Sequence, residues 1–177
     1  MPEKTLMITI QHKTINLIKN LLLLILILSS VAESKDVFQM KNAQGQLIQL
    51  KLALTFEEHT KGLSGLKSKE FKADNGMLFV DSQMGPKRFW MPDTYFNLDI
   101  IFLDENLKIV GIEKNVPFHP GTKEPPAIYR TDTYQAQHVL ETKANSKFSK
   151  NLKVNDKLEF IGPTSLSEIA LKTHLKQ

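Results

Sequence analysis

The fold is decided by residues 95–113, which read YFNLDIIFLDENLKIVGIE. Two apolar or alternating runs, 95–103 and 107–113, are separated by the polar triplet DEN at 104–106. Runs of this kind, divided by residues whose side chains bond to the backbone of a turn, are typical of neighbouring strands. The centre of the chain is therefore predicted to be β-structure.

The same pattern continues on both sides of this segment. Residues 48–52 alternate between apolar and polar side chains, which is the period of two expected of a half-buried strand. Turn residues recur at intervals of about 8 to 12 positions, a spacing typical of a sandwich or barrel. We therefore predict a mainly β fold, a single compact sandwich-like or barrel-like domain with one or two short helices and a C-terminal helix.

Local signals place these helices along the chain. The motif T-x-x-E at residues 55–58 is a capping box, and Gly62 supplies the stop that ends a helix. A second motif, S-x-x-E at residues 165–168, is predicted to open the C-terminal helix. A further brief helix is predicted around residues 146–151.

The start of the chain differs in composition from the rest. Three lysines precede the purely aliphatic block 21–28, and small residues stand at Ser30 and Ala32, as a cleavage site requires. We predict that residues 1–32 form a signal peptide. An uncleaved membrane anchor over residues 15–31 is the alternative, although its clean apolar core is shorter than a bilayer span.

The predicted organisation follows from that cleavage. Residues 33–162 form the β-rich domain, and residues 163–177 form an amphipathic tail helix. We expect an exported protein of the periplasm or the extracellular space, or one anchored by its N-terminus and facing outward. The membrane is expected to be touched only by the signal segment before cleavage.

Composition narrows the functional classes. The chain has no cysteine, so it forms no disulfide and carries no lipid-modified cysteine. Its net charge is +4, part of which belongs to the predicted signal peptide, and the remaining lysines are scattered singly between acids. This distribution does not suggest a nucleic-acid-binding surface.

Several blocks in the central segment resemble the signature of the domain of unknown function 192 family. The blocks occur in order over about Val37–Ile161 and are Gly62–Leu63, Gly76–Phe79, Arg88–Met91, Thr94, Leu98–Asp104 and Val139–Glu141. The resemblance implies a compact, mainly β fold of the sandwich or barrel kind, often found behind a signal peptide. It implies no assigned reaction.

The chain departs from that family pattern at several positions. Pro92 and Asp93 stand where members commonly have Lys and Asn, so a role carried by those side chains is not expected here. Two glycines usual late in the family are replaced by Asn145 and Asn155. Asparagine is the residue that best replaces glycine at positive φ, so these changes are expected to preserve the backbone.

The candidate site is built around two residue types that are rare in this chain. Only two arginines and one tryptophan occur. An arginine among many lysines suggests that the planar guanidinium group, and not just a positive charge, is needed. An ion pair between Arg88 and Asp99 is predicted, either structural or functional, with Arg88 against the Trp90 ring. A proline-rich loop is expected to close this pocket. The candidate ligand-binding residues are Arg88, Trp90, Asp99, His119, Tyr129 and Arg130.

Several functions remain open at this level. No catalytic motif, metal-binding spacing or cofactor fingerprint is present, so we predict neither a metal nor a cofactor. The first hypothesis is a non-enzymatic binding or accessory protein of the cell envelope, with an unknown small ligand or envelope protein as partner. The alternative is an envelope hydrolase of glycan or cell-wall material, with Asp99 and His119 as acid and base. A third is a structural protein whose tail helix docks on a partner.

Overall fold

A computed structural model describes residues 37–174, together with Lys19. Apart from Lys19, the predicted signal peptide, its cleavage site and the alternative anchor lie outside the described residues. No helix in the described part of the chain has the length and apolar character needed to cross a membrane.

The described residues form nine strands and two helices, so the predicted mainly β class is confirmed. In chain order these are β1 Phe38–Lys41, β2 Leu47–Ala53, α1 Phe56–Lys61, β3 Asn75–Phe79, β4 Gly85–Lys87, β5 Leu98–Leu103, β6 Ile109–Val116, β7 Tyr134–Ala136, β8 His138–Lys143, β9 Glu159–Ile161 and α2 Leu166–His174.

Seven strands form one curled sheet in the order β6-β5-β8-β3-β2-β1-β9, and β4 pairs with β7 in a separate ribbon. The β2–β3 pair is parallel and the other pairs are antiparallel. The two edges approach each other, because Ile109 N donates to Asp156 O at 2.9 Å and Leu158 N donates to Leu107 O at 3.0 Å. The sheet is therefore a half-barrel, as the barrel-like prediction anticipated.

The two faces of this sheet carry separate cores, because side chains alternate along each strand. On β5, Ile101 and Leu103 belong to a cluster completed by α2 and by residues 148–158. Ile100 and Phe102 face the other way, into a cluster completed by the loops and the β4–β7 ribbon. Every residue of β5 is buried, so this strand lies at the centre of the domain.

Most of the structure predicted from local sequence motifs is observed. Thr55 and Glu58 form the complete capping box of α1, and Gly62 ends that helix with φ of 48°. Asn145 and Asn155 have φ of 57° and 78°, so both asparagines take the left-handed backbone expected where the family has glycine. The helix predicted over residues 146–151 is wrong, since this segment forms successive turns.

A candidate ligand cavity around Glu141

A cavity of about 280 Å³ opens on the loop-covered side of the sheet. Its walls come from the C-terminal end of α1 with the following loop, from the segment after β4, and from strands β3 and β8. The lining side chains relevant to chemistry are His59, Lys61, Arg88, Trp90 and Glu141. The predicted candidates Arg88 and Trp90 thus share a cavity.

Glu141 is the buried acid of this cavity. Only 4% of its surface is exposed, and its partners across the neighbouring strands are the apolar residues Met77 and Ile100. No described residue forms a hydrogen bond with its carboxyl group, and no described side-chain oxygen is both fully buried and unpaired, so this carboxyl group opens onto the cavity. Burial raises the pKa of Glu141 to about 8, so this acid is mostly protonated at neutral pH.

Glu141 is absent from the predicted site residues, although it lies in one of the blocks that resemble the family signature. The available signal was the one acid in a strand that reads HVLETK. β8 is buried over five of its six residues, and an ionisable group in such a strand is expensive unless it is paired or used.

His59 also lines this cavity. Its Nε2 lies 3.0 Å from the carbonyl oxygen of Ala53, and a carbonyl can only accept, so Nε2 carries the proton in this contact. The ring meets Phe79 edge-on, with centroids 5.5 Å apart. Among the described residues Nδ1 has no hydrogen-bond partner, so it is available as an acceptor.

Three aromatic residues, Phe79, Phe89 and Trp90, line the cavity, and Trp90 is 53% exposed. Trp90 forms an isolated bridge with Arg130, whose guanidinium carbon lies 5.7 Å from the ring centroid. Arg130 is itself held by Glu124 at 2.8 Å. The cation predicted to contact Trp90 was Arg88, so that prediction is wrong in its partner: Arg88 Nε donates instead to the carbonyl of Thr131 at 3.2 Å.

The predicted ion pair between Arg88 and Asp99 is also wrong. Asp99 shares its face of β5 with Ile101 and Leu103, whereas Phe89 packs with the cluster on the opposite face. The Asp99 carboxylate accepts from the amides of Asn115 at 2.8 Å and Asn145 at 3.1 Å, and from the Ser149 hydroxyl. Its Oδ2 also lies 3.9 Å from Lys114 Nζ.

The physical reason for that error is the alternation of side chains. A shift of one position along a strand moves a side chain to the other side of the sheet. Asp99 therefore satisfies backbone amides beneath β5 and does not reach the cavity around Trp90. Its role in this structure is to hold the ends of β6 and β8 together.

Two further candidates stabilise the proline-rich loop and do not line the cavity. The ring nitrogens of His119 lie 3.1 Å from Gly121 O and 3.0 Å from Pro126 O. The Tyr129 hydroxyl donates a hydrogen bond to Glu113 at 3.0 Å. Burial is the main cause that raises the pKa of Tyr129, and the hydrogen bond to Glu113 raises it further. Three of the six predicted residues lie in the cavity or at its rim: Arg88, Trp90 and Arg130. The other three form hydrogen bonds that hold loops and strand ends together: Asp99, His119 and Tyr129.

The part of the chain that the structure describes contains no group of three or more His, Asp or Glu side chains arranged to hold a metal ion. The cavity instead combines one buried acid, one histidine, two basic groups and three aromatic side chains, of which Trp90 is the exposed one. Such a site can donate or accept hydrogen bonds and can attract a negatively charged group.

The fold and this cavity define a small half-barrel domain with an acid in a ligand-sized recess. The chain belongs to the domain of unknown function 192 family, described as "Uncharacterized ACR", whose model matches residues 38–160. The match runs from β1 into β9 and includes every residue of the cavity. No curated protein is significantly similar to the chain.

Two solved structures share the fold. One is a protein from Sinorhizobium meliloti 1021, described as a candidate transcription regulator, with 26% identity and a TM-score of 0.55 over 75% of this chain and 97% of that one. The other is a protein of unknown function from Novosphingobium aromaticivorans DSM 12444, with 24% identity and a TM-score of 0.55 over 73% and 91% of the two chains.

Proposed function

We propose that this chain is an exported binding protein of the cell envelope that holds a small polar ligand in the cavity around Glu141. The observation that carries the proposal is an acid that is only 4% exposed, bonds to no described residue and opens onto the cavity. A ligand that fills the cavity takes the place of water at this carboxyl group. An acid whose pKa is strongly shifted by burial in a cleft marks a candidate functional site.

The rest of the cavity supports the same proposal. Trp90 offers an exposed aromatic face, on which the C–H face of a sugar ring or another flat ligand packs well. Arg88 and Lys61 bring positive charge to the walls. A volume of about 280 Å³ lies just below the range of about 300 to 1,000 Å³ usual for ligand pockets, so a ligand of one ring is favoured.

A thermal-shift screen of the full chain against neutral sugars, sugar acids, amino sugars and short carboxylic acids tests the proposal. A ligand at 100 times its Kd adds about 2.7 kcal/mol to stability, which is a readable rise in Tm. We expect Trp90→Ala and Glu141→Leu to abolish the rise. The matched control is Phe118→Ala, because Phe118 is an equally exposed aromatic (51%) that does not line the cavity.

The proposal fails if no compound raises Tm in the wild-type chain. It also fails if Phe118→Ala removes the response as fully as Trp90→Ala does. Circular dichroism of each variant without ligand separates lost binding from lost folding.

Export is supported by the basic, aliphatic and small-residue segments at the start of the sequence. Mass spectrometry of the protein recovered from cell-envelope fractions tests it, and we expect a mature N-terminus at Glu33. An intact N-terminus that stays with the membrane would favour the anchor instead. Recovery in the cytoplasm without cleavage would contradict export.

An envelope hydrolase is the second candidate, and one observation favours it. Glu141 and His59 line the same cavity, and the raised pKa of Glu141 suits a general acid at neutral pH. The pair proposed from sequence, Asp99 and His119, does not line this cavity. Release of a chromogenic group from aryl glycosides by the wild-type chain, lost in Glu141→Gln and His59→Asn, would support this candidate.

A further inference from the structure

We infer that the ligand of this cavity is a sugar acid, whose carboxylate accepts a hydrogen bond from the carboxyl group of Glu141. The inference rests on the proposed function and narrows it to one chemical class. It concerns a contact between two carboxyl groups that share one proton.

Glu141 has apolar neighbours on both adjacent strands. Its neighbours on β3 and β5 are Met77 and Ile100, which offer no hydrogen bond or charge. The other ionisable side chains lining the cavity are His59 and Lys61 from α1 and Arg88 from the segment after β4. The acid therefore lies between apolar strand neighbours, and the other ionisable side chains that line the cavity are two cations and a histidine.

The protonation state of Glu141 decides which hydrogen bonds it can make. A carboxyl group buried in this way is mostly neutral at pH 7, because burial raises the pKa of Glu141 to about 8. A neutral carboxyl group donates one O–H hydrogen bond, and a bond to an ionised acceptor is roughly twice as strong as a neutral one. A ligand carboxylate is the acceptor that best uses this donor.

The charged side chains other than Glu141 that line the cavity are positive. Arg88 and Lys61 attract an anion into the cavity and repel an ammonium group. An amino sugar would need Glu141 ionised and would meet both cations. A neutral sugar would use the hydrogen bond but gain nothing from the charges. Of these three classes of sugar, a sugar acid alone uses the acid, the cations and the Trp90 ring together.

Calorimetric titration of the full chain with D-glucuronate, D-glucose and D-glucosamine tests the inference. We expect glucuronate to bind most tightly at pH 7 and about tenfold more weakly at pH 9, since the protonated fraction of an acid with a pKa near 8 falls about tenfold over that interval. Guanidinium groups keep their charge over this range.

Two variants assign the effect to its source. In Glu141→Gln, which cannot ionise, we expect the ratio of glucuronate affinities at pH 7 and pH 9 to fall from about ten to about one. In Phe118→Ala the ratio should remain that of the wild type, because Phe118 lies outside the cavity. A carbon-13 NMR titration of the Glu141 carboxyl should show its midpoint rising when glucuronate is bound.

Three outcomes overturn the inference. Tighter binding of glucose or glucosamine than of glucuronate does so while leaving the proposed binding function intact. A tenfold pH effect that persists in Glu141→Gln assigns the titration to another group. Absence of binding by all three sugars also overturns it, and the proposed function is then judged separately by the wider screen and its Trp90→Ala and Phe118→Ala pair.

Discussion

Gly62 lies directly against the carboxyl group of Glu141: a Cβ atom built on Gly62 would be 4.0 Å from Glu141 Oε2 and 3.3 Å from Phe79 Cζ. Gly62 also needs its φ of 48° to end α1. The missing side chain therefore serves two purposes, because it permits the helix stop and leaves space next to the buried acid. The cavity depends on this glycine as much as on the charged groups that line it.

The buried acid should make stability fall as pH rises. The native state keeps the Glu141 proton up to about pH 8, whereas the unfolded chain releases it near pH 4.5. Between these values the native state binds more protons, so the free energy of unfolding decreases with pH. Relative to the wild type, we expect the free energy of unfolding of Glu141→Gln to rise by about 1.4 kcal/mol for each pH unit in this window.

Urea denaturation of both proteins between pH 4.5 and 9 measures this difference. The gap between the variant and the wild type should stop growing above about pH 8, where Glu141 is ionised in both states. A gap that stays constant over the whole range would show that the acid has an ordinary pKa in the folded protein.

His138 should act in the opposite direction. Burial is the main cause that lowers the pKa of His138 to about 4, while its Nδ1 accepts from the Asp81 amide at 3.4 Å. The unfolded chain takes up this proton near pH 6.5, so stability is lost as pH falls from about 6.5 towards 4. We expect His138→Gln to flatten the acid side of the stability profile, measured by thermal melts from pH 4 to 7. An unchanged acid slope would contradict this assignment.

Removing Asp99 should be far more damaging than removing an acid in an exposed turn. Asp99→Ala removes the acceptor of the Asn115 and Asn145 amides and leaves the buried Ser149 hydroxyl with Ser146 Oγ as its remaining side-chain partner. An unsatisfied buried group costs about 1 to 3 kcal/mol. We expect a loss of about 3 kcal/mol or more in urea denaturation.

The control for Asp99 is Asp104→Ala. Asp104 also accepts from two backbone amides, at 2.8 and 2.9 Å, but it does so in an exposed turn where water replaces the bonds. We expect this variant to lose about 1 kcal/mol. Equal losses for the two variants would contradict the internal bracing role of Asp99.

Gly111 lies beneath the Tyr134 ring and leaves no space for a side chain. A Cβ atom at Gly111 would be 2.2 Å from Tyr134 Cδ1, and the same ring stacks on Phe102 with centroids 4.3 Å apart. We expect Gly111→Ala to cost about 1 to 3 kcal/mol, as overpacked cores do.

A double-mutant cycle in urea assigns this cost to the contact. In a Tyr134→Ala background the cost of Gly111→Ala should fall by at least half, because the ring that it strikes is gone. Additive losses would mean that the backbone of β6, and not the tyrosine, opposes the substitution.

Much of the fold could be predicted because its signals are local. The alternation in β2, the capping box at residues 55–58 and the substituted asparagines at 145 and 155 each report a conformation that neighbouring residues dictate. The brief helix predicted at residues 146–151 failed because its turns are held by contacts distant in sequence, such as Asn42 Nδ2 to Phe148 O at 2.9 Å. Residue pattern alone cannot show such a contact.

The sequence by itself determined the β class, the positions of most strands and the family to which the chain belongs. The tertiary structure alone decided which polar residues meet. Arg88 and Asp99 lie eleven positions apart yet serve opposite sides of the sheet, while Gly62 and Glu141 are far apart in the chain and line the same cavity. The physical reason is that a strand's own residues set its alternation, whereas long-range pairing sets which strand lies beside it and what covers each face.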